Sequence, residues 1–156
     1  MEKRKSGFTI IELIVVMTII LILAGLITGA AQKAKQQAMI AKARSMIAGI
    51  ETALGMFQAD TGIYPASANL YTNLVSSATG LTTVQAQNWS GPYMNFQTNE
   101  INTTAGTILD PWNSAYHYTN TGSASHGYDH YIDIWSNGPN KVDNSGAGDD
   151  ITNWKR

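Results

Sequence analysis

The sequence predicts an α+β fold: one long N-terminal helix, packed over its second half against a small antiparallel β-sheet. Three observations predict it. Residues 13–31 carry no charge and are nearly all aliphatic or small. Beyond them Met39, Ala43, Met46, Ile50, Leu54 and Phe57 recur at spacings of four and three, with no proline before Pro65. The C-terminal third holds two aromatic, β-prone segments, Ala115–Thr119 and Asp129–Trp135, separated by turn residues. A chain of 156 residues has room for one such domain and an appendage.

The first element is the run F-T-I-I-E-L-I-V-V-M-T-I-I-L-I-L-A-G-L-I, Phe8–Ile27. About 20 apolar residues in a helix span a hydrocarbon core of about 30 Å. A cleaved secretory signal has a shorter apolar region followed by small residues at a cleavage site. Here the run passes directly into a second helical pattern, so it is expected to stay in the mature protein. Glu12 is the odd residue. An acid in a membrane helix costs on the order of 2.5–3.5 kcal/mol. Near a span end it can be accommodated by protonation or snorkelling. If the chain were cut after Gly7, the new ammonium of Phe8 would lie one helical turn away, about 6 Å along the axis. The amine of one subunit could then neutralise Glu12 of another in a parallel helix bundle.

The stripe from Met39 to Phe57 continues the same helix, which D-T-G-I-Y-P ends: Gly62 breaks it and Pro65 prevents continuation. From Phe8 to Ala59 this helix would be about 80 Å long. Residues 66–125 are rich in Ser, Thr, Asn, Gly and Ala, and the sequence predicts a short helix near Asn69–Val75 with loop and short strands around it. Ala115–Thr119 and Asp129–Trp135 then form a hairpin laid on the amphipathic half of the long helix.

Charge is segregated. Residues 1–7 carry a net +2 and residues 32–44 a net +4, while Ser45–Asn140 contains no Lys or Arg. A nucleic-acid surface needs clustered cations, so the globular part does not bind DNA or RNA through such a surface. A count of flanking Lys and Arg favours residues 32–44 over the leader, so charge alone does not place the C-terminal domain outside the cytoplasm. With no cysteine, disulfides, thiolate metal sites and thiol nucleophiles are excluded.

K-S-G-F-T-I-I-E-L resembles the class III signal of type IV pilins and type II secretion pseudopilins. The resemblance implies that a prepilin peptidase cuts between Gly7 and Phe8 and N-methylates Phe8, and that Glu12 is the fifth-position acid used in assembly. It divides the chain into a leader (1–7), a membrane-spanning and filament-core helix (8–30), and an amphipathic helix with an extracytoplasmic head and C-terminal loop (31–156). A narrower resemblance, to the type II secretion major pseudopilin family, rests on an ordered set. Its members are D-T-G-I-Y-P at 60–65, G-P-Y-M at 91–94, D-P-W-N-S-A-Y at 110–116, H-G-Y-D at 126–129, S-N-G-P-N at 136–140 and D-D-I-T-N-W at 149–154. Read as structure, Asp110 before Pro111 opens a turn, and Trp112 and Trp154 are core anchors.

The loop Ser136–Asp150 gathers Asn137, Asn140, Asp143, Asn144, Ser145, Asp149 and Asp150, with Gly138, Gly146 and Gly148 for tight turns. Oxygen donors without His or Cys suit a hard cation, Ca2+ before Mg2+, or else make a solvated polar loop. It is no EF-hand, since the glutamate twelve residues after an initial Asp is missing. The resemblance implies a structural Ca2+ held by Asn137 through its carbonyl, by Asn140, and by Asp149 and Asp150, with Asp143 able to compensate for the amide at Asn140. His126, Asp129 and His130 read as strand, where four residues span about 13 Å, too far for one zinc ion. There is no G-x-S-x-G elbow or phosphate loop, and no enzymatic activity is expected.

The expected function is that of a structural subunit of a type II secretion pseudopilus. It would sit single-pass in the inner membrane with its head in the periplasm, and polymerise with copies of itself into a helical filament that helps export folded proteins across the outer membrane. The implied partners are the prepilin peptidase, minor pseudopilins, the inner-membrane assembly platform and membrane lipid. The alternative is a type IV pilin of a surface pilus for adhesion or motility.

Overall fold

The computed structural model describes residues 7–76, 78–120 and 131–155, with the side chains of 26–28 outside that description. The leader through Ser6, the hairpin turn, the landmark at 126–129 and the trio His126, Asp129 and His130 lie outside the described residues.

Helix α1 runs Ile10–Thr61, 52 residues, in agreement with the expected span. The chain falls into two compact units, one ending at Gln37 and one beginning at Ala38. In the first, Phe8 is 81% exposed, and Ile10–Leu23 has every large apolar side chain in contact with solvent. It is long and apolar enough to cross a membrane.

In the second unit α1 is amphipathic. Ala43, Ile47, Ile50, Leu54 and Phe57 are buried at spacings of 4, 3, 4 and 3, with Ala53 beside them. Ile47 replaces Met46 as the centre of the expected stripe, because Met46 lies about 100° round the helix from it and ends up half-buried at the margin, as does Met39. Gly62 ends the helix at φ +80, donating its N–H to the Gln58 carbonyl at 2.8 Å, and Thr61 Oγ1 donates to the Phe57 carbonyl at 2.7 Å.

A 3-10 turn, Ser67–Asn69, leads into α2, Leu70–Val75, where the sequence predicted a short helix. Helix α3, Thr83–Asn88, was expected as loop. Its start is fixed by a capping box: Thr82 N–H donates to Gln85 Oε1 at 3.0 Å and Gln85 N–H to Thr82 Oγ1 at 3.4 Å.

Strands β1 (Ile101–Asn102) and β2 (Thr107–Ile108) form a small antiparallel ribbon. Strands β3 (His117–Thr119), β4 (Asp133–Ser136) and β5 (Ile151–Thr152) form an antiparallel sheet in that order. The expected hairpin is the pair β3–β4, with Tyr118 opposite Ile134. Strand β5 was not anticipated; it adds to the far edge of β4, with Ser136 opposite Ile151. Ile134, Ile132, Ile151, Tyr116 and Tyr118 from this sheet and its approach close one core with α1, Leu70 and Leu74. Tyr118 Oη donates to the Pro65 carbonyl at 3.0 Å, which ties β3 to the segment that follows α1. Trp112 packs half-buried against the same core, as an anchor should.

Candidate functional site

The sequence nominates two sites, one in each unit. The first is the start of α1. Thr9 is the N-cap and Glu12 the third helical residue, and the two form a reciprocal capping box. Glu12 Oε2 accepts from the Thr9 N–H at 2.9 Å and from Thr9 Oγ1 at 2.8 Å, while Thr9 Oγ1 accepts from the Glu12 N–H at 3.3 Å. A negative charge in the first turn also suits the helix dipole. The carboxylate lies beside a shallow apolar groove lined by Phe8, Ile11, Val15 and Val16. Gly7 precedes the helix and is exposed, and nothing among the described residues comes within 4 Å of a hypothetical Cβ there. The T-I-I-E spacing carried the capping signal, which the reading of Glu12 as a membrane acid passed over.

The second site is the loop between β4 and β5. Asp149 and Asn140 are brought together. Asp149 Oδ2 accepts from the Asn140 N–H at 3.0 Å, and Asp149 Oδ1 takes a short bond from Asn140 Nδ2. Asn140 Nδ2 also reaches Asn144 Oδ1 at 3.4 Å, while Asn140 Oδ1 accepts from the Val142 N–H at 2.6 Å. Asp150 is buried, and its Oδ2 accepts from the N–H groups of Asn144 at 3.0 Å and Gly146 at 2.8 Å. Two buried oxygens, Asn137 Oδ1 and Asp150 Oδ1, have no hydrogen-bond partner.

Asp143 is turned elsewhere. Its Oδ1 accepts from the Ser145 N–H at 2.8 Å and from Trp135 Nε1 at 3.0 Å, and its Oδ2 lies 3.8 Å from His117 Nδ1. The Ser145 N–H holds its carboxyl below the usual carboxylate value, with Trp135 and His117 adding to the effect against partial burial. His117 stacks on Trp135 with ring centres 4.9 Å apart, and Trp135 meets Trp154 edge-on at 6.1 Å. Trp154 covers Gly146 so closely that a Cβ there would collide with its ring.

Among the described residues no three His, Cys, Asp or Glu side chains converge on one point. A cation at this loop would therefore have to draw on two carboxylates together with amide and backbone oxygens, which is donor chemistry that suits Ca2+. The unpartnered Asp150 Oδ1 fits that role, since a buried acceptor without a partner is costly, whereas at Asn137 the unpartnered oxygen is the side-chain Oδ1 and not the backbone carbonyl that the resemblance implies. The Asn140 amide fits after turning over, because its nitrogen now faces Asp149.

The comparisons with known proteins bear on the family and the fold. The family model described as type II secretion system (T2SS), protein G, matches residues 30–154, and the prokaryotic N-terminal methylation motif matches residues 3–28. The fold resembles the crystal structure of the major pseudopilin from the type 2 secretion system of enterohaemorrhagic Escherichia coli, at 29% identity and a TM-score of 0.54, covering 79% of this chain and 92% of that one. No curated protein matches the sequence at a significant level. The family is one of structural pseudopilins, and its match favours secretion over the surface-pilus alternative. The chain belongs to the type II secretion system protein G family.

Proposed function

We propose that this chain, a subunit of a type II secretion pseudopilus, is cut between Gly7 and Phe8 by a prepilin peptidase, methylated at the new amine, and held in the inner membrane by Phe8–Ile27 until it polymerises. The reading rests most on one observation: a single carboxylate, Glu12, opens an otherwise uncharged stretch of α1 whose large apolar side chains from Ile10 to Leu23 are exposed. In the isolated chain Thr9 satisfies that carboxylate. In a bundle of parallel helices the carboxylate leaves water, at a cost of about 2.5–3.5 kcal/mol on insertion scales, and a neighbour's Phe8 ammonium offsets that cost only in the correct axial register. Glu12 then selects register rather than supplying net attraction.

The heads lie in the periplasm, and the loop 136–150 takes up Ca2+ through Asp149 and Asp150 with oxygens of Asn137 and Asn140. Asp149 and Asp150 would hold the ion, whose positive charge would offset theirs and so favour one conformation of the loop for head-to-head packing. Asp143 braces the loop against Trp135 and His117. Minor pseudopilins and an inner-membrane assembly platform are its partners, and the growing filament moves folded cargo toward the outer membrane.

Glu12→Ala tests the register role. Cleavage after Gly7, read by the mass of the mature chain, is expected to persist, while sedimentable filaments are lost. Filaments of normal yield and length from Glu12→Ala would refute it.

A further inference from the structure

The base of the C-terminal loop is held from outside the loop. Ser136 closes β4 and is 0% exposed. Its hydroxyl donates to Asp110 Oδ2 at 2.6 Å and accepts the Gly138 N–H at 3.1 Å. Asp110 is itself buried, and its other oxygen accepts the N–H groups of Trp112 at 3.0 Å and Ser114 at 2.8 Å. One buried carboxylate therefore joins the turn 110–114 to the first residues of the loop. Gly138 stands at φ +65, and a Cβ there would collide with the Asp149 carbonyl. The outgoing and returning limbs of the loop thus meet at the residue whose N–H the Ser136 hydroxyl fixes.

We propose that Asp110 and Ser136 are positioning residues for the loop 136–150. An ionised carboxylate can only accept, so Asp110 dictates the direction of the relay. The single Ser136 proton points to Asp110, and the hydroxyl lone pairs are left for Gly138. An amide at position 110 would present either its own donor to Ser136 or a weaker acceptor, and the direction would no longer be set. Fixing Gly138 fixes Asn137 on one side and the Asp149 backbone on the other. The proposal rests on the reading of this loop as the site that orders the head, and the relay acts whether or not a cation is bound.

The sequence supplies its own reporter. Lys141 is exposed, lies inside the loop, and is the only Lys or Arg between Ser45 and Trp154. Tryptic cleavage after Lys141 in the full-length chain in detergent therefore measures opening of this loop. In EDTA, Ser136→Ala and Asp110→Asn are expected to be cut about tenfold faster than wild type, equivalent to about 1.4 kcal/mol in the opening equilibrium. Ile134→Val, a change in the core under β4, serves as the control. It is expected to lower the thermal midpoint yet leave the Lys141 rate unchanged at a temperature where all the variants are folded. Should Asp110→Asn fail to fold, Ser136→Ala decides alone. Wild-type cleavage of Ser136→Ala, or equal acceleration by Ile134→Val, would overturn the relay. Adding Ca2+ to wild type bears on the cation reading separately: absence of protection at Lys141 removes that reading, and the EDTA rates still decide the relay.

Discussion

Asp150→Ala isolates the second part of the site. Asp150 is 8% exposed, and one of its oxygens accepts from both Asn144 and Gly146 N–H groups. Alanine removes the acceptor and leaves two backbone donors behind, that of Gly146 in a buried residue. A hydrogen bond to a charged group contributes about 1.5–3 kcal/mol. The two bonds share one oxygen, so about 3 kcal/mol for the pair is the working figure. At about 2.1 cal/mol/K per residue, the unit from Ala38 to Arg156 unfolds with an entropy of about 0.25 kcal/mol/K. The expected fall in midpoint is then about 12 °C. The assay is thermal unfolding of Lys33–Arg156 in EDTA, followed by the same scan in millimolar Ca2+. Wild type is expected to gain about 2.7 kcal/mol at 100 times the dissociation constant, or about 11 °C, and the variant to gain nothing. A variant midpoint in EDTA within about 3 °C of wild type would refute the hydrogen-bond argument. A full Ca2+ shift in the variant would place the cation away from Asp150.

Three further outcomes follow from the geometry. Asn140→Asp sets a carboxylate where an amide now donates to Asp149, so the variant is expected to melt lower than wild type in EDTA by about 1–2 kcal/mol and to respond more strongly to Ca2+; a weaker Ca2+ response than wild type would contradict this. Phe57→Ala empties the centre of the head core, where Phe57 is 0% exposed and meets Tyr93 edge-on at 5.8 Å, and is expected to cost about 3–5 kcal/mol in denaturant unfolding. The carboxyl of Asp60 is held below its ordinary value by Ser90 and then Tyr93, and that of Glu100 by Lys42 and then the Gln97 N–H. Both folded-state values are depressed, so their stabilising effect is present above the unfolded value of about 4 and is lost as pH falls through the lower folded value. Asp60→Asn with Glu100→Gln should therefore differ from wild type at pH 6 and converge with it near pH 2 in denaturant midpoints; a gap that stays constant with pH would contradict the assignment.

The long helix was legible because its signals are local and repeated: an uncharged run, a stripe at four and three, then Gly62 and Pro65 as stops. The pair β3–β4 was legible from its aromatic and β-branched residues. What escaped was short or distant. Helix α3 has six residues and no apolar stripe; only Thr82 and Gln85 announced it. Strand β5 is two residues long and exists because β4 offers it an edge. Ile47 was passed over because Met46, its neighbour, also fitted a helical spacing. In the loop, sequence gathered the oxygen donors but could not tell which way each would face. Asp143 turns to Trp135 and His117 because β4 delivers the Trp135 indole N–H to it, whereas Asp149 meets Asn140. Asp110 and Ser136 are 26 positions apart, and no sequence spacing announces their bond. The proposed processing residues Gly7 and Phe8, by contrast, belong to a linear motif and need no fold to be read.

The central claim is that this subunit serves secretion and does so through an assembled filament. The most direct measurement is the location of exported proteins in a strain lacking this chain and complemented with either wild type or Glu12→Ala. The account predicts that cargo accumulates in the periplasm without the chain, is released again by wild type, and stays retained with Glu12→Ala although Phe8 is exposed by processing. Normal release in the deletion strain, or its full restoration by Glu12→Ala, would contradict it.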